Sequence, residues 1–124
     1  MLYEGSKLAL EYQHRIKHVV SISGVHDLRP LLKTEINTQL KLDKQSAAAL
    51  SPALLQPIDN CRLTAWVGGD ERPEFIRQSE LIGNVWRGLG AQTRCVAEPD
   101  KHHFDVIDSL IDTGSPLMKS ILDC

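Results

Sequence analysis

The sequence predicts an α/β fold with about three parallel strands and flanking helices, and two observations carry that expectation. Residues 18–23, 62–67 and 92–97 are short apolar segments. The first two are nearly continuous in β-branched or apolar side chains, which suits strands covered on both faces better than a half-wet antiparallel sheet. Between the second and third segments, Phe75, Ser79, Ile82, Trp86 and Leu89 recur at helical spacing. A strand, an amphipathic helix and a strand in succession make a parallel crossover, expected to be right-handed.

The remaining elements follow in order. Residues 2–16 read as a weak helix ahead of the strand at 18–23. The long crossover 24–60 holds a short helix near 31–40 and another over 44–50, which the Asp43 side chain can cap. Ser51-Pro52 ends the latter, because proline disfavours helical backbone in the residue before it. In the helix over 73–90, Pro73 suits the first turn and Gly88 or Gly90 the left-handed stop. After the third strand, Phe104, Ile107, Leu110 and Ile111 make a C-terminal amphipathic helix. Gly114-Ser-Pro116 breaks it before a last turn at 117–122. No repeat, low-complexity tract or linker divides the chain, so residues 1–124 are read as a single domain.

Composition excludes several classes of function. Fourteen basic against sixteen acidic side chains leave a net charge of -2, the opposite of the basic footprint that neutralises nucleic-acid phosphates. No apolar run approaches the ~20 residues that span a bilayer. Met1-Leu-Tyr-Glu lacks the basic and apolar regions of an export signal, so a cytoplasmic chain without membrane contact is expected. Cys61, Cys95 and Cys124 are odd in number and form no C-x-x-C, which argues against a disulfide framework or a zinc site.

In open α/β sheets, reactive side chains collect beyond the carboxyl ends of the strands. Two loops occupy that position here. Gly68-Gly-Asp-Glu-Arg-Pro73 offers adjacent carboxylates, Asp70 and Glu71, and Glu98-Pro-Asp-Lys-His-His-Phe104 offers adjacent imidazoles, His102 and His103. Adjacent strands lie about 5 Å apart, so a carboxylate from one loop reaches an imidazole from the next. Such a pair orients a general base, and the order acid then histidine is that of hydrolases whose serine comes earlier in the chain. Simple solvation of the histidines is the bland alternative. A metal site at His102, His103 and Asp105 is weaker still, since neighbouring histidines point apart and no further ligand pair is evident. Gly68-Gly69 lacks the patterns of a phosphate cradle and reads as a turn. No cofactor is expected.

Four stretches are more specific: Ser23-Gly-Val-His-Asp-Leu-Arg-Pro-Leu-Leu32, Leu42-Asp43 with Ser51-Pro52, Val67-Gly-Gly-Asp-Glu-Arg-Pro-Glu-Phe-Ile-Arg-Gln-Ser79, and His102-His-Phe-Asp105. From about residue 18 to the C-terminus the chain resembles the C-terminal part of an α/β-hydrolase of the kynurenine formamidase (arylformamidase) and esterase type. That resemblance implies a partial α/β-hydrolase fold, a role in tryptophan catabolism, and hydrolysis of an aryl formamide or carboxylic ester. It puts the triad acid two residues before the proline of Pro-Glu-Phe, at Glu71, and the triad histidine directly before Phe, at His103. The family acid is commonly aspartate, which keeps Asp70 as a rival, although glutamate also serves in such triads.

The family's G-x-S-x-G nucleophile elbow and H-G-G oxyanion loop have no counterpart in these residues. The expectation is a chain truncated at the nucleophile and inactive alone, using a small ester or formamide only if a serine is supplied. The alternative is a non-catalytic chain that self-associates or docks on a partner through the exposed strand 18–23 or the helix 2–16, with a homo-oligomer as the result.

Overall fold

The computed structural model describes residues 15–122. Its centre is a parallel sheet of three strands in sequence order: β1 (His18–Ile22), β2 (Arg62–Gly68) and β3 (Gln92–Glu98). The register pairs His18 with Arg62 and Ile22 with Trp66 on one side, and Arg62 with Gln92 and Gly68 with Glu98 on the other. The carboxyl ends of β2 and β3 therefore stop level with each other, which puts the loops after them side by side.

Alternation of side chains along β2 divides the interior in two. Leu63 and Ala65 join Ile82 and Trp86 of the following helix on one face. Trp66 joins Val106 and Leu117 on the other. The central strand is accordingly buried from Leu63 to Gly68. β1 departs from the expectation of burial on both faces, for every residue in it is half-buried. Among the described residues it pairs with β2 alone, and a strand needs a neighbour on each side as well as covered faces to disappear from solvent.

Among the described residues there are four α-helices, α1 (Asn37–Leu40), α2 (Lys44–Ala49), α3 (Pro73–Gly88) and α4 (Pro116–Leu122), of which α3 and α4 pack on the sheet. α3 starts on Pro73 and buries Ser79, Ile82 and Trp86 of the expected stripe, while Leu89 is its 43% exposed cap. Of the two candidate stops, Gly90 is the one with left-handed backbone, at φ 93°. Asp43 caps α2 in a reciprocal box with Ser46.

Two elements differ from the sequence reading. The helix expected over 31–40 is a 3₁₀ turn, Arg29–Lys33, and the separate α1. Thr34 lies between them in extended backbone, its hydroxyl donating to the Leu31 carbonyl at 2.7 Å in competition with a helical N–H. The C-terminal amphipathic helix expected from Phe104 to Ile111 is the 3₁₀ turn Val106–Leu110. Phe104 is 82% and Ile111 85% exposed, and it is Val106 that enters the core. Here Asp105 accepts the His102 N–H at 2.6 Å and Ser115 donates to the Ser109 carbonyl at 2.5 Å, so side chains take over the backbone partners a longer helix would need. The expected helix at 2–16 falls almost entirely outside the described residues. Among those residues, no helix is long and apolar enough to cross a membrane.

Candidate active site

The loops after β2 and β3 are joined by their backbones before any side chain acts. Gly69 N–H donates to the Glu98 carbonyl at 2.7 Å and Asp70 N–H to the Lys101 carbonyl at 2.9 Å. This approach requires glycine: a Cβ on Gly68 would stand 2.3 Å from the Lys101 carbonyl oxygen. Gly68-Gly69 is thus a contact point between two loops, and Asp100, in left-handed backbone at φ 57°, turns the second loop to meet it.

The zipped loops bring Glu71 and His103 together. His103 Nδ1 lies 2.8 Å from Glu71 Oε2, with the carboxylate side chain wholly buried and the imidazole 41% exposed. An ionised carboxylate accepts and does not donate, so Nδ1 carries a proton, and in the neutral ring Nε2 presents a lone pair. Among the described residues Nε2 meets no hydrogen-bond partner. The second carboxylate oxygen, Oε1, accepts the Gly68 N–H at 2.9 Å and the Ser23 hydroxyl. Burial opposes ionisation of Glu71, but the donors Ser23, Gly68 and His103 outweigh it and hold its carboxyl below the usual glutamate range.

The stretch Pro73-Glu-Phe-Ile-Arg-Gln-Ser79 supports this pair from behind. Phe75, in the first turn of α3, lays its ring on His103 with centroids 4.3 Å apart and a 30° tilt. Phe104 meets the same imidazole edge-on at 5.4 Å. Gln78 is buried and spends its whole amide on neighbours. Its oxygen accepts the backbone N–H of His26 (2.9 Å) and Asp27 (2.7 Å), and its nitrogen donates to the Asp27 carbonyl (2.9 Å) and Glu74 (2.7 Å). The loop after β1 is therefore tied to α3. Asp27 receives Arg29 through two bonds of 2.9 Å, which holds its carboxyl low. Ser51 accepts the Leu28 N–H at 2.8 Å and donates to the Ala47 carbonyl at 2.6 Å, so Ser51-Pro52 pins the crossover.

His26 is a buried structural histidine. Its Nδ1 donates to the Gln78 carbonyl at 3.0 Å and its Nε2 accepts from Ser21 at 3.0 Å, and burial keeps the ring neutral by lowering its pKa. Of the candidates from sequence, Asp70 lies exposed on the same loop and its carboxylate reaches neither imidazole within the described contacts. His102 turns away from His103 toward Asp105, 3.3 Å off. Among the described residues no group of three metal-ligating side chains converges. The roles of Ser23, Phe75 and Gln78 were not legible beforehand. All three stand in the stretches that carry the resemblance, but those stretches assign no contact to Ser23 or Gln78, and helical spacing puts Phe75 in the stripe of α3 rather than on an imidazole.

A shallow pocket of about 280 Å³ opens over the pair, lined by Asp70, Glu71, Arg72, His102, His103 and Phe104. A larger hollow of about 400 Å³ at the amino ends of the strands, lined by residues such as His18, Arg62 and Arg94, holds no carboxylate. Size alone does not locate the chemistry.

Three parallel strands with an acid after one and its histidine after the next constitute a partial α/β-hydrolase fold. Within that class the chain is homologous to part of the kynurenine formamidases. It is 30% identical over 113 residues to the kynurenine formamidase of Danio rerio and 31% identical over 114 residues to that of Salmo salar. Each match covers 87% of this chain, which spans 39% of the length of those relatives. A crystal structure from Silicibacter sp. TM1040, described as that of a candidate thioesterase, superposes with a TM-score of 0.78 at 42% identity, over 87% of this chain and 39% of the other. No family model matches the chain.

Proposed function

We propose that this chain supplies the acid and the general base of a serine-hydrolase triad acting on an aryl formamide, such as N-formylkynurenine, or a carboxylic ester. The carrying observation is the 2.8 Å contact between the Glu71 carboxylate and His103 Nδ1, which leaves Nε2 at a pocket with no hydrogen-bond partner among the described residues. The names of the relatives, formamidase and thioesterase, describe acyl-group hydrolysis and agree with that chemistry. The 124 residues contain no G-x-S-x-G, so the nucleophile comes from outside them and the chain by itself is inactive.

In this reading the serine oxygen bonds to the acyl carbon while its proton passes to His103 Nε2. Glu71 stabilises the imidazolium so formed. Collapse of the tetrahedral intermediate breaks the bond to the amine or alcohol, which leaves with that proton. Water, deprotonated by the same nitrogen, then hydrolyses the acyl-serine. The route needs no cofactor or metal, and the reading is of a cytoplasmic activity.

The test mixes the purified chain with a chain that carries a G-x-S-x-G strand and helix, then follows release of formate from an aryl formamide and of the chromogenic phenol from a carboxylic ester. Turnover is expected on mixing alone and is lost with His103→Ala. Equal turnover with and without the imidazole overturns the proposal.

A second reading rests on β1, which the described residues pair along one edge. Unpaired strand edges recruit partners, and self-association or docking through residues 18–23 or 2–16 gives a non-catalytic role. A clean monomer by light scattering at high concentration counts against it.

A further inference from the structure

We infer that Ser23 is a positioning residue for the triad acid: its hydroxyl fixes one oxygen of Glu71 so that the other is left for His103. The inference rests on the reading of Glu71 and His103 as triad members. Ser23 follows the last residue of β1, at the same end of the sheet as the loops that carry the pair. Its N–H donates to the Trp66 carbonyl at 2.7 Å, which fixes it against β2. Its backbone is left-handed, φ 47°, a conformation that non-glycine residues keep where the surroundings impose it and that clusters at functional sites.

The surroundings here are specific. At the next residue, Gly24, a Cβ would stand 2.5 Å from the Ser21 hydroxyl and 2.7 Å from the ring of buried His26. The chain therefore turns hard against the His26 ring, which Gln78 holds in place, and at this turn the Ser23 hydroxyl donates to Glu71 Oε1. With Gly68 N–H on the same oxygen and His103 on Oε2, three donors address two oxygens. A glutamate has one more rotatable bond than the family's usual aspartate, and this distribution fixes the torsion that the longer side chain would otherwise leave free. Of the donors that hold the buried carboxyl low against desolvation, Ser23 acts most strongly.

The test is a carboxyl-carbon NMR titration of Glu71 in the wild-type chain, Ser23→Ala and Ser23→Gly. Both variants remove the hydroxyl, and glycine accepts the left-handed backbone, so a folding failure of the alanine variant leaves the second available. An upward shift of the Glu71 midpoint in both is the expected result. An unchanged midpoint in folded variants overturns the proposal, as does a shift confined to alanine, which would trace to backbone strain. The titration requires no turnover, so a null result removes Ser23 alone. Survival of mixed-chain activity in His103→Ala would remove the triad reading instead.

Discussion

Glu71→Gln makes a sharp test of the acid–imidazole contact, because the amide keeps the shape and changes one end from acceptor to donor. Two orientations are available. With the amide oxygen in the place of Oε1, Gly68 N–H and the Ser23 hydroxyl keep their acceptor. The NH₂ then faces His103 Nδ1, which must give up its proton and accept. Flipping the amide preserves the present tautomer but sets an NH₂ against the Gly68 N–H, which cannot rotate away. Leaving that buried donor unsatisfied costs ~1–3 kcal/mol, enough to decide for the first orientation. The proton is therefore expected on Nε2 of His103, where it blocks the base. Long-range ¹H–¹⁵N NMR reads the tautomer directly: Nδ1–H in the wild-type chain, Nε2–H in the variant. Loss of the charge-assisted bond should also lower stability to urea by about 2 kcal/mol. In the mixed-chain assay turnover should fall about 10⁴-fold, as when a triad acid becomes its amide. An Nδ1–H tautomer in folded Glu71→Gln would refute the reasoning.

Gly68→Ala should cost about 1–3 kcal/mol in urea unfolding, because the new Cβ must push the Lys101 carbonyl away. The same variant should expose His103 to faster broadening in NMR as the loops part. Gln78→Leu leaves the amides of His26 and Asp27 and the Asp27 carbonyl without partners, and calorimetry should show a loss of ~3 kcal/mol or more. The Glu71 carboxyl is held below its ordinary value in the folded state, so its contribution is present above the unfolded carboxylate pKa and disappears as pH falls through the folded one. The stability gap between wild type and Glu71→Gln should accordingly narrow on acidification. A gap that widens would assign the wrong sign to the site.

Much of this architecture was legible because apolar runs and helical spacing report burial directly. The strands, α3 and the capped α2 emerge at the expected positions, within a residue or two at their ends. The half-burial of β1 follows from its pairing on one side, and the two shortened helices share another cause. At Thr34 and around Asp105 and Ser115, side-chain groups bond to nearby backbone and cut short helices whose apolar spacing looked sound. Periodicity cannot register that competition. For the site, strand-end position brought out both loops, and the resemblance pointed to Glu71 while leaving Asp70 as a rival; in the structure it is the Glu71 carboxylate that lies 2.8 Å from His103 Nδ1. Ser23 lay beyond reach because it meets Glu71 across 48 positions in sequence, through a backbone conformation no local pattern announces.

The two backbone bonds that join Gly69 to Glu98 and Asp70 to Lys101 prolong the β2–β3 ladder past the strands themselves. Local opening of either loop would have to break sheet pairing, which places the acid and the imidazole within the most cooperative unit of the molecule. Amide hydrogen exchange at Asp70 should then occur on the timescale of global unfolding, in contrast to the exposed turn at residues 111–114. Side chains at 70, 72 and 102 can drift through mutation while the scaffold that spaces the pair stays constant, so changes in the pocket lining need not disturb the contact between Glu71 and His103.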